Sequence, residues 1–164
     1  VAGIDDSYFK QLAYVESSWR PYAVTETKGT ATGVYQFTND TWLDSLPELR
    51  QKIRSEEITR EDALALRTKA EWNAKAIKNL TEKNMKALDK AHISITNASL
   101  YLAHMLGVAG AKKVLKNPNK TLKSIFNNFS DIMEANPDVV DDKTTGKHML
   151  KWANEKMPDK KGNK

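Results

Sequence analysis

The sequence predicts a single, mainly α domain with one small β element near residue 30. Three observations carry that expectation. Apolar residues recur at three- and four-residue spacing along most of the chain, between polar residues suited to capping helices. Residues 20–37 break this rhythm, with Pro21, Gly29 and Gly33 among alternating Thr and small residues, a pattern suited to a loop or a β-hairpin. The chain has 164 residues, of which 40% are hydrophobic, enough for one real core.

The elements follow in order. Asp5-Asp6-Ser7 offers N-caps for a first helix in which Phe9, Leu12, Ala13 and Glu16 share a face. Thr38-Asn39-Asp40 caps a short helix through Leu46, which Pro47 stops. Thr59, with Asp62 three residues on, forms a capping-box pattern at the head of a long helix carrying Ala63, Leu66, Ala70, Ala74, Ile77 and Leu80. Thr96 caps the next helix, ahead of Leu100, Ala103, Leu106 and Gly107. Shorter helices are expected over 109–116, 121–127 and 130–135, and Thr145 opens a last one running to about Lys156. The folded domain is expected over 1–155. Residues 156–164, Lys-Met-Pro-Asp-Lys-Lys-Gly-Asn-Lys, read as a flexible basic tail. The start, Val1-Ala2-Gly3, has neither an initiator Met nor a signal peptide, which suits a domain of a larger protein or a processed product.

Composition narrows the chemistry. With no cysteine there is no disulfide framework, no thiolate nucleophile and no Cys-based zinc site. His92, His104 and His148 match no metal-ligand spacing, so neither a metal nor an organic cofactor is expected. No apolar run approaches the roughly 20 residues of a membrane span. Lys and Arg outnumber Asp and Glu 26 to 21, giving a net charge of +5. An anionic partner follows: nucleic acid, a membrane surface or the bacterial cell wall. Charge alone does not choose.

The first helix holds the most informative conflict. Its apolar stripe of Phe9, Leu12 and Ala13 ends in a carboxylate, Glu16, which belongs at the rim of the core. Burial disfavours the charged form, so a raised pKa is expected there. A carboxyl that stays protonated near neutral pH can donate a proton to a glycosidic oxygen. The plainer alternative is a helix-end Glu exposed where the stripe runs out. After Glu16 come Ser17-Ser18-Trp19-Arg20-Pro21-Tyr22-Ala23, a Thr/Gly-rich stretch, then Gly33-Val34-Tyr35-Gln36-Phe37 and Thr41-Trp42-Leu43. A strand there can fold over the helix end as one wall of a cleft. Gly33 permits close approach of a ligand to the backbone, and the Gln36 amide both donates and accepts. Trp19, Tyr22, Tyr35 and Trp42 offer faces on which sugar rings stack, or else simply pack in the core.

These residues resemble the lytic transglycosylases of the soluble, goose-lysozyme-like kind. That family's pattern is Glu-Ser-x-(Phe/Trp)-x-Pro-x-Ala, a loop, then Gly-x-x-Gln-Phe; Glu16-Ser17, Trp19, Pro21, Ala23, Gly33, Gln36 and Phe37 occupy those places. The likeness is closest to the bacterial and phage version with Gly-x-Tyr-Gln-Phe and Thr-Trp-Leu. It continues through Leu64-Ala65-Leu66-Arg67, Leu100 to Gly107, and Ala135-Asn136-Pro137, so four ordered blocks cover most of the chain. The resemblance implies a lysozyme-like α+β fold, with a small β-hairpin lining the active-site cleft. It implies cleavage of the β-1,4 bond between N-acetylmuramic acid and N-acetylglucosamine in peptidoglycan. Glu16 would be the general acid and base, and Ser17, Ser18, Gly33, Tyr35, Gln36, Tyr101 and His104 would bind substrate.

Two departures bear on the carry-over. The family's third block reads Ala-Tyr-Asn-x-Gly, whereas here it is Ala103-His104-Met105-Leu106-Gly107. His104 stands in place of the Tyr, lining the cleft as in the phage-like group or serving the fold alone. The late Tyr that commonly bonds the catalytic Glu has no counterpart beside Leu150 and Trp152, and Tyr101 is a substitute for it. Goose-type lysozymes also carry an Asp two residues after the Gln, where this chain has Thr38. Standard hydrolysis uses two carboxylates, so that gap favours transglycosylation over a hydrolytic muramidase. Glu26, Asp40 and Asp44 are nearby but match no motif position. A nucleic-acid binder would explain Lys112, Lys113 and the lysines of 116–123, but there is no recognition-helix signature. A non-catalytic wall-binding module would explain the aromatics without needing Glu16. The implied partner is therefore the peptidoglycan glycan strand, with no nucleic acid and no membrane span. The expected protein is a monomer, phage-encoded and virion-associated or released at lysis, acting on the wall from the periplasm or the exterior.

Overall fold

The structure, a computed structural model, describes residues 6–20, 22–25 and 31–159. It is mainly helical. The chain divides into two compact units, Val1–Leu80 and Thr81–Lys164.

In the first unit, α1 (Asp6–Ser17) buries Tyr8, Leu12, Ala13 and Ser17 and leaves Phe9 and Glu16 half-buried. The buried stripe therefore starts one residue earlier than the sequence suggests, with Phe9 set edge-on to Tyr8, ring centres 5.3 Å apart. Strands β1 (Val24–Thr25) and β2 (Ala31–Thr32) pair antiparallel, Val24 opposite Thr32 and Thr25 opposite Ala31. Among the described residues that ladder of two residue pairs is all of the β structure apart from isolated bridges at Thr32–Phe37 and Thr121–Thr145; the connection, 26–30, and Pro21 lie outside the described residues.

Thr38 stands at the N-cap of α2 (Asn39–Ser45) in an extended conformation, although its side chain makes no capping bond. Trp42 and Leu43 are buried beneath it. Pro47 does more than stop that helix. It opens α3 (Pro47–Arg54), where a fixed φ and a missing N–H cost nothing in the first turn. Thr59 and Asp62 form the expected capping box at the head of α4 (Arg60–Ala65). The single long helix expected from there is interrupted. Leu66–Thr68 tightens into a 3₁₀ turn and Lys69 is extended before α5 (Ala70–Lys90) begins. Tertiary hydrogen bonds explain the break. Arg67 turns inward, its Nη1 donating to Phe37 O at 3.0 Å, while Asn73 Nδ2 donates to Arg67 O at 2.7 Å and Lys69 O at 2.9 Å.

The boundary between the units falls within α5. In the second unit, α6 (Asn97–Lys116) starts at a capping box of Thr96 and Ser99. Gly107 interrupts it with φ 75 and ψ 164, which accounts for two helical stretches in the sequence pattern on either side. Then come α7 (Leu122–Ile125), α8 (Phe129–Ala135) and α9 (Gly146–Lys156), the last capped by Thr145 with His148 in a further capping box. Helix α9 packs on α6, and Tyr101 tilts over Trp152 at 5.6 Å. The expected flexible tail from Lys156 is corrected for its first residues. Met157 is fully buried, and Asn97 donates its backbone N–H to the Asp159 carboxylate and its Nδ2 to Pro158 O, both at 3.0 Å. Residues 160–164 lie outside the described residues. Among the described residues no helix is long and apolar enough to cross a membrane.

Candidate active site

Glu16 sits in the last turn of α1, half-buried where the apolar stripe ends. The helix does not simply fray beyond it. Ser18 and Trp19 adopt left-handed backbone conformations in succession, φ 55 and 67, and their amides bond back to Tyr14 O at 2.9 Å and Ala13 O at 3.4 Å. Each such residue costs roughly 1–2 kcal/mol, so the surrounding bonds must hold the turn. One of them is Arg20, whose Nε donates to Ser17 O at 2.8 Å and supplies a cation at the negative end of α1.

A second loop is fastened against this helix end. After β2 the chain reverses within Thr32–Phe37, whose two ends exchange backbone bonds at 3.0 and 3.2 Å. Ser17 Oγ donates to Val34 O at 2.7 Å, which ties the residue after Glu16 to the loop. Gln36 is itself left-handed, φ 53, and is buried. Its Nε2 spends both hydrogens on backbone carbonyls, Ala23 O and Gly33 O, each at 2.9 Å. Gly33 has φ 90, and a Cβ there would lie 2.2 Å from Arg67 O.

These contacts give three of the expected site residues a part in building the loop. Gly33 accommodates the close approach of Arg67's backbone, and the Ser17 hydroxyl and the Gln36 amide hydrogens bond backbone carbonyls of the loop. Ser18 is exposed beside Glu16, and Tyr35 is buried, with burial pushing its phenol pKa up. Tyr101 and His104 belong to the second unit, both on α6, Tyr101 buried and His104 half-buried.

The aromatics divide clearly. Trp42 is fully buried, its Nε1 donating to Ala63 O at 2.9 Å and its ring edge-on to Phe37; it is a core residue and offers no face to a sugar. Trp19 and Tyr22 are 52% and 74% exposed, and Tyr14 on the preceding turn is 60% exposed. Among the described residues, four of the five exposed large hydrophobics, these three and Val24, fall between residues 14 and 24.

One residue escaped the sequence reading. Tyr8 is buried, and its phenol pKa is pushed far up by burial first, then by the nearby charges of Glu16 and Tyr35. The phenol thus stays neutral across the physiological range and within the electrostatic reach of the candidate acid. The signal was present: Tyr8, Leu12 and Glu16 are spaced by four and lie on one helical face.

Of the carboxylates near Glu16 in sequence, Asp44 pairs with Arg50 at 2.6 Å and Asp40 with Arg60 at 3.8 Å, all at the surface. Glu26 lies outside the described residues. Among the described residues no three His, Cys, Asp or Glu side chains gather as a metal site. No family model matches the chain, and no curated protein matches it either.

Proposed function

We propose that the chain is a peptidoglycan-degrading enzyme, a lytic transglycosylase of lysozyme-like α+β fold in which Glu16 is both general acid and general base. The observation that carries the reading is the setting of Glu16. It is a half-buried carboxyl at the negative end of α1, within the electrostatic reach of the buried Tyr8 phenol and next to a loop pinned by Ser17, Gln36 and Gly33. The exposed rings of Trp19 and Tyr22 sit where a glycan strand would stack on them. The β1–β2 ladder and the 32–37 loop would form one wall of the cleft.

In the first step Glu16 gives its proton to the leaving O4 of N-acetylglucosamine as the C1–O4 bond breaks. In the second, the Glu16 carboxylate takes the proton of the C6 hydroxyl on the same muramoyl unit. That oxygen bonds to C1 and leaves a 1,6-anhydro ring. One carboxylate suffices, and no water is consumed. The surface pairing of Asp40 and Asp44 with arginines fits a mechanism with a single working carboxyl.

Clearing of a suspension of purified peptidoglycan tests the proposal. Glu16→Gln keeps the shape and removes the proton, so clearing should fall by at least about a hundredfold. Clearing by the variant at the parent rate would sink the assignment.

A further inference from the structure

Net charge is distributed very unevenly between the two units. The first holds 11 Lys and Arg against 12 Asp and Glu; the second holds 15 against 9. The whole of the +5 surplus therefore comes from the second unit. Between Asp89 and Asp131 there is no acidic residue, and six lysines occur there.

The fold concentrates these charges further. The chain leaving α6 anneals to the chain entering α9. Leu122 N–H donates to Thr144 O at 2.8 Å, Gly146 N–H to Lys120 O at 3.1 Å, and Lys147 N–H to Pro118 O at 2.9 Å. Lys116 at the end of α6, Lys120 in the loop and Lys147 at the head of α9 are thereby brought to one corner, all exposed. Lys113 is one turn earlier, its ammonium over the Phe126 ring at 5.3 Å. Among the described residues none of these four is ion-paired. Two carboxylates border the corner: Asp142 pairs with Lys123 at 3.5 Å, and Asp141 accepts from the Lys143 backbone N–H at 2.8 Å.

Like charges gathered without partners repel, and an anionic ligand relieves that repulsion. The composition of the corner says which kind. The second unit has fifteen lysines and no arginine, so it lacks the planar fork that reads phosphate or base edges bidentately. Phe126, whose ring lies under the Lys113 ammonium, is buried and leaves no face on which bases could stack. Compact charges on flexible stems suit scattered single carboxylates.

We propose that Lys113, Lys116, Lys120 and Lys147 form a docking surface for the free carboxylates of peptidoglycan stem peptides, made of residues other than those assigned to cleaving the glycan. The inference rests on peptidoglycan being the substrate. Its test is co-sedimentation of the full chain with sacculi stripped of secondary polymers, at low and high salt, for the parent and for Lys116→Gln/Lys120→Gln/Lys147→Gln. None of these three side chains makes a contact that folding needs, and circular dichroism confirms the fold of the variant. Binding of the parent should weaken steeply with salt, and the triple variant should bind about tenfold more weakly. Cleavage of short, peptide-free glycan should be unchanged. Equal binding of parent and variant overturns the inference, as does tighter lysine-dependent binding to a polyol-phosphate polymer or to duplex DNA. If the parent bound sacculi through these lysines but cleared none, the enzymatic reading would fail and the docking surface would stand.

Discussion

Gly33 and Gln36 show how a motif residue can build the loop on which a candidate site rests. Both carry positive φ, and Gln36 spends its two amide hydrogens inside the chain. The sequence marks these positions as special; it does not reveal that the ligand of Gly33's open face is the Arg67 carbonyl, thirty-four residues on. Gly33→Ala combines a strained φ with a Cβ 2.2 Å from that oxygen, so it should cost about 2–4 kcal/mol in urea unfolding and lower clearing activity with it. Unchanged stability would mean the loop is not held as described. Tyr8 makes a second residue-scale prediction. Its folded pKa is raised above the ordinary phenol value of 10.0, chiefly by burial, and Tyr35 shifts the same way. As pH rises past that value the unfolded chain releases phenol protons that the folded chain retains. The associated stability is fully present below about pH 10 and is lost progressively above it. Urea midpoints measured from about pH 8 to about pH 11 should fall at the alkaline end, and Tyr8→Phe should flatten that fall.

At the scale of elements, local signals were legible and tertiary ones were not. The capping boxes at Thr59 and the caps at Thr96 and Thr145 fall where hydroxyl and spacing place them, because a cap is settled within four residues. Helix α3 is hidden in the sequence because Pro47 reads first as a terminator of α2, although the same ring suits a first helical turn. The interruption at Leu66–Lys69 was invisible because its causes, the bonds of Arg67 to Phe37 and of Asn73 to Arg67, join residues far apart in sequence or buried on another helix. Gly107 is the opposite case, a break written in one residue. Its φ 75 and ψ 164 belong to a region open almost only to glycine, yet nothing lies within 4 Å of a Cβ built there. Gly107→Ala should therefore cost about 1–3 kcal/mol, from strain alone and without a clash. Thermal unfolding beside Gly33→Ala separates the two mechanisms. If Gly107→Ala were the more damaging, the break in α6 would be serving more than backbone geometry.

At the scale of the whole molecule, the proposed cleavage of peptidoglycan turns on how many carboxylates would take part in it. Hydrolysis with two carboxyls requires one to activate water. The acidic neighbours of Glu16 in sequence that lie among the described residues, Asp40 and Asp44, are drawn into surface pairs with Arg60 and Arg50. The position two after Gln36 is Thr38, which is exposed and has no acid to offer. A lone Glu16 can return to its starting protonation state only by taking a proton from a nucleophile, and the C6 hydroxyl of the muramoyl unit is already tethered to the reacting carbon. That tether is an advantage over free water, since an intramolecular nucleophile avoids the entropy of capturing a second molecule. Digestion of peptidoglycan in heavy-oxygen water decides the matter. A cyclising enzyme should give products with no heavy oxygen at C1 and one water lighter than muramidase products. Glu16→Gln should give neither. Incorporation of heavy oxygen at C1 by the parent would instead show hydrolysis, and would require a second carboxylate or a water positioned by other groups beside Glu16.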